Sequence, residues 1–210
     1  MNGAVIPVAV FAYPAAPHVR RHGPCGYLEY QAFKPWLRDE FTFRCVYCLF
    51  RERWYPNGQD GFSVDHVVPQ QLASDRICDY ENLVYACVRC NSCKQAVLLP
   101  DPCATGYANL LRVREEDGVA EGLTPEGMRL VEVLLLNHAR AVAWRQRLLA
   151  ALRRVRAAAG GDPELLRWLL GFPDDLPDLT ALRPPGNTRP AGIAQSHLVQ
   201  RQQGVLAEAY

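Results

Sequence analysis

Apolar and polar positions change rhythm about halfway along the chain. From Tyr27 to Glu40, aromatic and charged residues alternate in a helix-compatible pattern, and Pro35 opens a short second helix. Residues 41–67 read as β-rich: Phe41-Thr42-Phe43 and Phe62-Ser63-Val64 alternate, with Asn57-Gly58 as a turn signal between short strands. Leu83-Val84-Tyr85-Ala86 predicts another short strand, and residues 89–98 a helix. The second half has a helical period. Thr124-Pro125-Glu126 supplies a capping oxygen, a proline for the first helical position and an acid for the first turn, and apolar residues then recur through Leu136. Asn137 is placed to cap a second helix running to about Ala159 and ended by Gly160-Gly161. Asp162-Pro163-Glu164 opens a third, short helix that stops near Gly171. The two ends are different in kind. Residues 1–24 predict an irregular leader with one strand-like piece, Val5–Phe11. Residues 173–210 are Pro-rich and predict a mobile tail with a weak helix near the end. There is no internal repeat.

Composition narrows the class. At 210 residues the chain suits one domain with appended pieces, and 49% hydrophobic with 21% charged residues argue against wholesale disorder. The net charge of +1 excludes an overtly basic protein, so any nucleic-acid role has to rest on local charge. Arginine dominates the cations, with 21 Arg against two lysines, Lys34 and Lys94. No stretch approaches the ~20 apolar residues of a membrane span, and the N-terminal apolar run lacks a basic region before it and is broken by Pro7. The expected compartment is the cytoplasm, where eight cysteines point to metal ligation or catalysis rather than to disulfides.

Two Cys-x-x-Cys pairs stand out, Cys45-Val-Tyr-Cys48 and Cys87-Val-Arg-Cys90. Two such knuckles can present four thiolates tetrahedrally to a structural Zn²⁺. Cys90 and Cys93 form a rival pair. Cys87 with Cys90 is preferred, because both follow the predicted strand directly. The 38 residues between the knuckles exceed what a compact ribbon uses, so a folded unit has to lie between them.

That interval carries Asp65-His66, then Asn82, and the second knuckle is followed by Asn91 and Lys94. Hydrolysis of a phosphodiester needs a deprotonated water, a Lewis acid for the developing charge and help for the leaving oxygen. His66, with an ordinary pKa near ~6.5, can take a proton from water at neutral pH. Asp65 and Asn91 offer hard oxygen ligands of the kind Mg²⁺ or Mn²⁺ accepts. Adjacent residues on a regular strand point to opposite faces, so Asp65 and His66 can share a site only where the strand ends or bends, and Pro69 marks such a place.

On these residues the chain resembles the HNH nucleases over about Phe43 to Gln95. The pattern reads Cys45-x-x-Cys48, Asp65-His66-x-x-Pro69, Asn82-Leu83 and Cys87-x-x-Cys90-Asn91-x-x-Lys94. The resemblance implies an α+β fold: a small zinc-stabilised ββα-metal finger flanked by helices, with a helical C-terminal half. Together with the patterning along the chain, this gives a leader (1–24), a nuclease core with its four-cysteine zinc site (25–103), a helical extension (104–172) and the tail (173–210). The resemblance also implies a metal-dependent endonuclease acting on DNA and leaving 5′-phosphate and 3′-hydroxyl ends. His66 falls on the general base, Asp65 and Asn91 on ligands of one Mg²⁺ or Mn²⁺, and Asn82 on the residue that pins the loop and orients the histidine. The family's last position, His or Asn, is Asn91 here.

Lys94 reads as a phosphate contact or a stabiliser of backbone charge. Arg140, Arg147 and Arg154 repeat at seven along the second long helix and share a face, opposite Val142, Leu148, Leu149, Leu152 and Val155. That face is either a DNA-backbone contact surface or a solvated side of a core-packing helix in an Arg-rich chain. The aromatics Tyr27, Tyr30, Trp36, Tyr47, Trp54 and Tyr55 could stack on bases but more often pack around a zinc-pinned core. Two other readings stay open: a non-catalytic, zinc-dependent DNA-binding module, and a structural or toxin-partner protein whose helices do the work.

Overall fold

Two five-residue strands make the centre of the protein. The structure, a computed structural model, describes residues 10–157 and 162–210. In it β2 (Phe62–His66) pairs antiparallel with β3 (Leu83–Cys87), with Phe62 opposite Cys87 and His66 opposite Leu83. Every residue of β3 is buried. The chain passes from β3 directly into α2 (Val88–Lys94), where the Cys87 thiol accepts from the amide of Cys90 as an N-cap. This ββα unit, with helices around it, is the α+β architecture expected. Helix α1 (Lys34–Glu40) follows a 3₁₀ turn at Tyr30–Phe33 and carries Pro35 in its first turn. It packs Trp36 and Leu37, both fully buried, against β3. A two-residue strand, β1 (Pro24–Cys25), precedes it.

The β-rich reading of residues 41–67 holds only for β2. Thr42 and Phe43 are consecutive left-handed residues, with φ of 54° and 53°, and extended strand geometry cannot continue through them. A single bridge joins Arg44 to Arg51, and a 3₁₀ turn at Gly58–Gly61 feeds β2.

The second half opens with a hairpin, β4 (Leu111–Val113) and β5 (Ala120–Gly122), whose three-residue strands are too short for alternation to reveal. Helix α3 (Pro125–Val133) starts as read, with the Thr124 hydroxyl accepting from the amide of Gly127 at 3.1 Å. Helix α4 (Ala139–Ala157) does not use Asn137 as its cap. The Asn137 amide instead bonds both backbone groups of Ala120 at 2.8 Å, tying α4 to β5, and His138 Nδ1 accepts from the amide of Arg140. The expected helix end at Ala159 and Gly160-Gly161 lies outside the described residues, as do the first five residues of the strand-like piece 5–11. Helix α5 (Pro163–Leu170) is capped by Asp162. Its last carbonyls are taken up by side chains of the finger: Arg51 donates to Leu170 O and the indole of Trp54 to Leu169 O. Trp144 on α4 packs on Phe50 and Trp54, with ring centroids 4.2 and 4.9 Å apart.

The tail expected to be mobile is packed on the finger. Its strand β6 (Gly186–Asn187) pairs with β1, Leu176 and Leu179 are buried, and α6 (His197–Gln202) presents His197 to the buried carboxylate of Asp39. Arg189 adds an ion pair to Glu81, and Arg38 one to Asp175. Few large apolar residues are needed because the docking is polar. Its anchors are single side chains scattered among prolines.

Candidate active site

The four cysteines of the two knuckles converge. The thiol sulfurs of Cys45, Cys48, Cys87 and Cys90 all lie within 4.8 Å of one another, and all four residues are buried. Cys48 and Cys87 sulfurs are 3.8 Å apart, and a tetrahedron of ~2.3 Å Zn–S bonds has edges of nearly that length. The cluster therefore fits one structural zinc. Cys93 stays out of it, which resolves the rival pairing.

At the other end of the sheet, β2 stops at His66 and both acid and histidine line one open cleft with Tyr30, Gln70, Asn91 and Gln95. The imidazole is oriented by three contacts. Its Nε2 lies 2.9 Å from the carbonyl oxygen of Ile77, which can only accept, so Nε2 carries the proton and Nδ1 keeps its lone pair. Gln70 Nε2 sits 3.3 Å from that Nδ1, and the Tyr30 ring meets the imidazole edge-on at 4.9 Å. Burial lowers the His66 pKa, against the Ile77 hydrogen bond and the Asp65 charge that raise it. Neutral imidazole, the form able to accept a proton, is thereby favoured.

The Asp65 carboxylate is held from several sides. Oδ2 accepts from the Tyr47 hydroxyl at 2.6 Å; Oδ1 accepts from Lys94 Nζ at 3.2 Å and from the His66 amide at 2.8 Å. Burial, then the Asp65 charge, push the Tyr47 phenol well above its ordinary range, so it remains a donor. Asn91, on α2, donates Nδ2 to Ser63 Oγ at 2.9 Å and to Val64 O, while its Oδ1 takes no hydrogen bond among the described residues.

Asn82 lies behind the cleft rather than in it. Its Oδ1 accepts from the Val68 amide at 2.8 Å, and its Nδ2 donates to the carbonyls of Val68 and Arg76. These bonds clamp both ends of the loop between His66 and Ile77, whose carbonyl orients the histidine.

The model of the family described as HNH endonuclease matches residues 45–96, about a quarter of the chain, from the first knuckle to just beyond Lys94. This segment is an HNH domain. No curated protein and no solved structure matches the chain. An HNH domain points to nuclease or DNA-binding work, and its cysteine cluster to zinc.

Within the HNH domain, one expectation is corrected. Lys94 is only 1% exposed, and its ammonium is spent on Asp65 and, at 2.6 Å, on the carbonyl of His66. It cannot reach a phosphate in solvent; it stabilises the end of β2 instead. Outside the domain, Arg140, Arg147 and Arg154 are exposed, with no ion pair to any described residue. Arg145, on the same helix, is buried and bonds Leu136 O and Gly118 O. Sequence reasoning missed Gln70, Ile77 and the Tyr47 contact. Tyr47 sits inside the first knuckle, but no spacing rule connects it to Asp65. No described helix is long and apolar enough to cross a membrane.

Proposed function

We propose that the protein is a metal-dependent HNH endonuclease that hydrolyses DNA phosphodiester bonds. The observation that carries this reading is the orientation of His66: Nε2–H is committed to Ile77 O, and the basic Nδ1 lies in a cleft shared with Asp65 and Asn91. His66 Nδ1 takes a proton from water as the oxygen attacks phosphorus, and Gln70 yields its contact to that water. The bond from phosphorus to the 3′-oxygen breaks, and the leaving oxygen takes a proton from solvent, so that 5′-phosphate and 3′-hydroxyl ends result. Asp65 and Asn91 would hold one Mg²⁺ or Mn²⁺. When bound, that cation polarises the phosphate and neutralises charge on the leaving oxygen. Asn82 acts through the loop as a positioning residue. Cys45, Cys48, Cys87 and Cys90 hold the structural zinc that keeps the two ends of the domain together.

None of the eight cysteines is in a disulfide, which suits a reducing compartment, and we place the protein in the cytoplasm. The exposed arginines of α4 serve as a backbone-contacting surface for DNA.

The test is nicking of supercoiled plasmid with Mg²⁺ or Mn²⁺, with and without EDTA, beside His66→Ala. Cleavage by the wild type that EDTA and the variant both abolish is expected. If wild type and His66→Ala are equally inert across metals and DNA forms, the enzyme reading fails; DNA binding without cleavage would then favour a non-catalytic module.

A further inference from the structure

Tyr47 belongs to both halves of the HNH domain. It is the third residue of the first knuckle, between Val46 and Cys48, and is almost fully buried. The knuckle is fastened to the sheet by the amide of Val46, which donates to Tyr85 O at 3.0 Å, and closed on itself by the amide of Leu49, which donates to Cys45 O. On its other side the Tyr47 carbonyl accepts from the Tyr13 hydroxyl at 2.7 Å. The backbone of Tyr47 is therefore set by the cysteine cluster and its supports, and the phenol projects from that anchored point to Asp65.

The consequence lies in lone pairs. Each carboxylate oxygen offers two. Oδ1 of Asp65 has two donors, Lys94 Nζ and the His66 amide, and Oδ2 has one, the Tyr47 hydroxyl. One acceptor direction remains, on Oδ2, in a residue that lines the cleft.

We propose that Tyr47 is a positioning residue that couples the four-cysteine knuckle to Asp65 and orients Oδ2, the oxygen that Lys94 and the His66 amide leave open, for the divalent cation. The inference rests on the proposed cation site at Asp65 and Asn91 and adds what orients it. Outer hydrogen-bond partners of metal ligands commonly account for about 10–100-fold in affinity or activity, because they fix the ligand's direction and basicity.

The experiment measures Mn²⁺ affinity of the purified, zinc-containing protein by electron paramagnetic resonance, for wild type, Asp65→Ala, Tyr47→Phe and Tyr107→Phe. Tyr107 is another buried phenol, bonded to Pro100 O and not to the Asp65 carboxylate, so it reports the general cost of losing a buried hydroxyl. Tyr47→Phe is expected to weaken Mn²⁺ binding about 10-fold with zinc content unchanged, and Tyr107→Phe to leave it as in the wild type. Crystals of the wild type soaked in Mn²⁺ should show Asp65 binding through Oδ2 alone, with the Tyr47 hydroxyl still bonded to that oxygen; this arm stands even if Tyr47→Phe does not fold. Full Mn²⁺ affinity in Tyr47→Phe, or Asp65 bound through Oδ1 or through both oxygens, overturns the inference. A wild type without any Asp65-dependent Mn²⁺ site overturns the cation reading itself, and the inference with it.

Discussion

Lys94 and Asp65 form an ion pair, 3.2 Å apart, in which neither side chain is more than 5% exposed. Taking one charge of such a pair away leaves the other buried without compensation, which typically costs about 3–5 kcal/mol. Lys94→Met should therefore lower stability by roughly that amount, read as a fall in the urea midpoint. The double variant Asp65→Asn/Lys94→Met should recover most of the loss, since no charge is then stranded. A single variant as stable as wild type would show that the pair is not formed in solution.

The cysteine cluster should contain close to one zinc per chain by metal analysis after mild dialysis. Cys87→Ser should lose that zinc and, with it, cooperative thermal unfolding of the domain, because metal binding supplies a large part of the ordering free energy in small sites of this kind. A zinc-free wild type that still unfolds cooperatively would refute the assignment.

Glu40 predicts an acid-sensitive attachment of residues 18–22. Its carboxylate, at the end of α1, accepts from His18 Nε2, the amides of Arg21 and His22, and the Tyr80 hydroxyl. Burial alone would raise its pKa; the bonds from His18, Arg21 and His22 outweigh burial and hold it down to about 2. A depressed carboxylate stabilises the folded state above its unfolded pKa, near 4.5, and that contribution disappears as pH falls towards 2. The contribution is on the order of 3 kcal/mol at neutral pH. Urea unfolding of Glu40→Gln should show that deficit at pH 7 and a much smaller one near pH 3; an equal gap at both values would contradict the linkage.

On α4, the triple variant Arg140→Ala/Arg147→Ala/Arg154→Ala should weaken DNA binding for all sequences alike. Its log–log salt slope should be shallower by about three, one for each lost phosphate contact. Thermal stability should change little, as all three side chains are exposed. An unchanged salt slope would assign this face to solvent.

Local spacing alone determined a good deal of this protein. The two Cys-x-x-Cys pairs, Asp65-His66 and Asn91 could be picked out from the ligand and proton-accepting chemistry of their residue types and their order, and Asn82 from the resemblance to the HNH nucleases. The starts of α3 and α5 were legible for a similar reason: Thr124 and Asp162 satisfy amides three residues ahead, an interaction that stays within one turn. The tertiary structure decided what no short window contains. Lys94 changed from a candidate phosphate contact to the buried partner of Asp65, 29 residues away, and Asn137 from a helix cap to a clamp on Ala120. The Pro-rich tail carries almost no periodic apolar signal, yet His197 reaches Asp39 across 158 residues. Such contacts depend on which side chains the fold brings within about 3 Å, the range over which a hydrogen bond or buried ion pair acts. Sequence separation carries no trace of that distance.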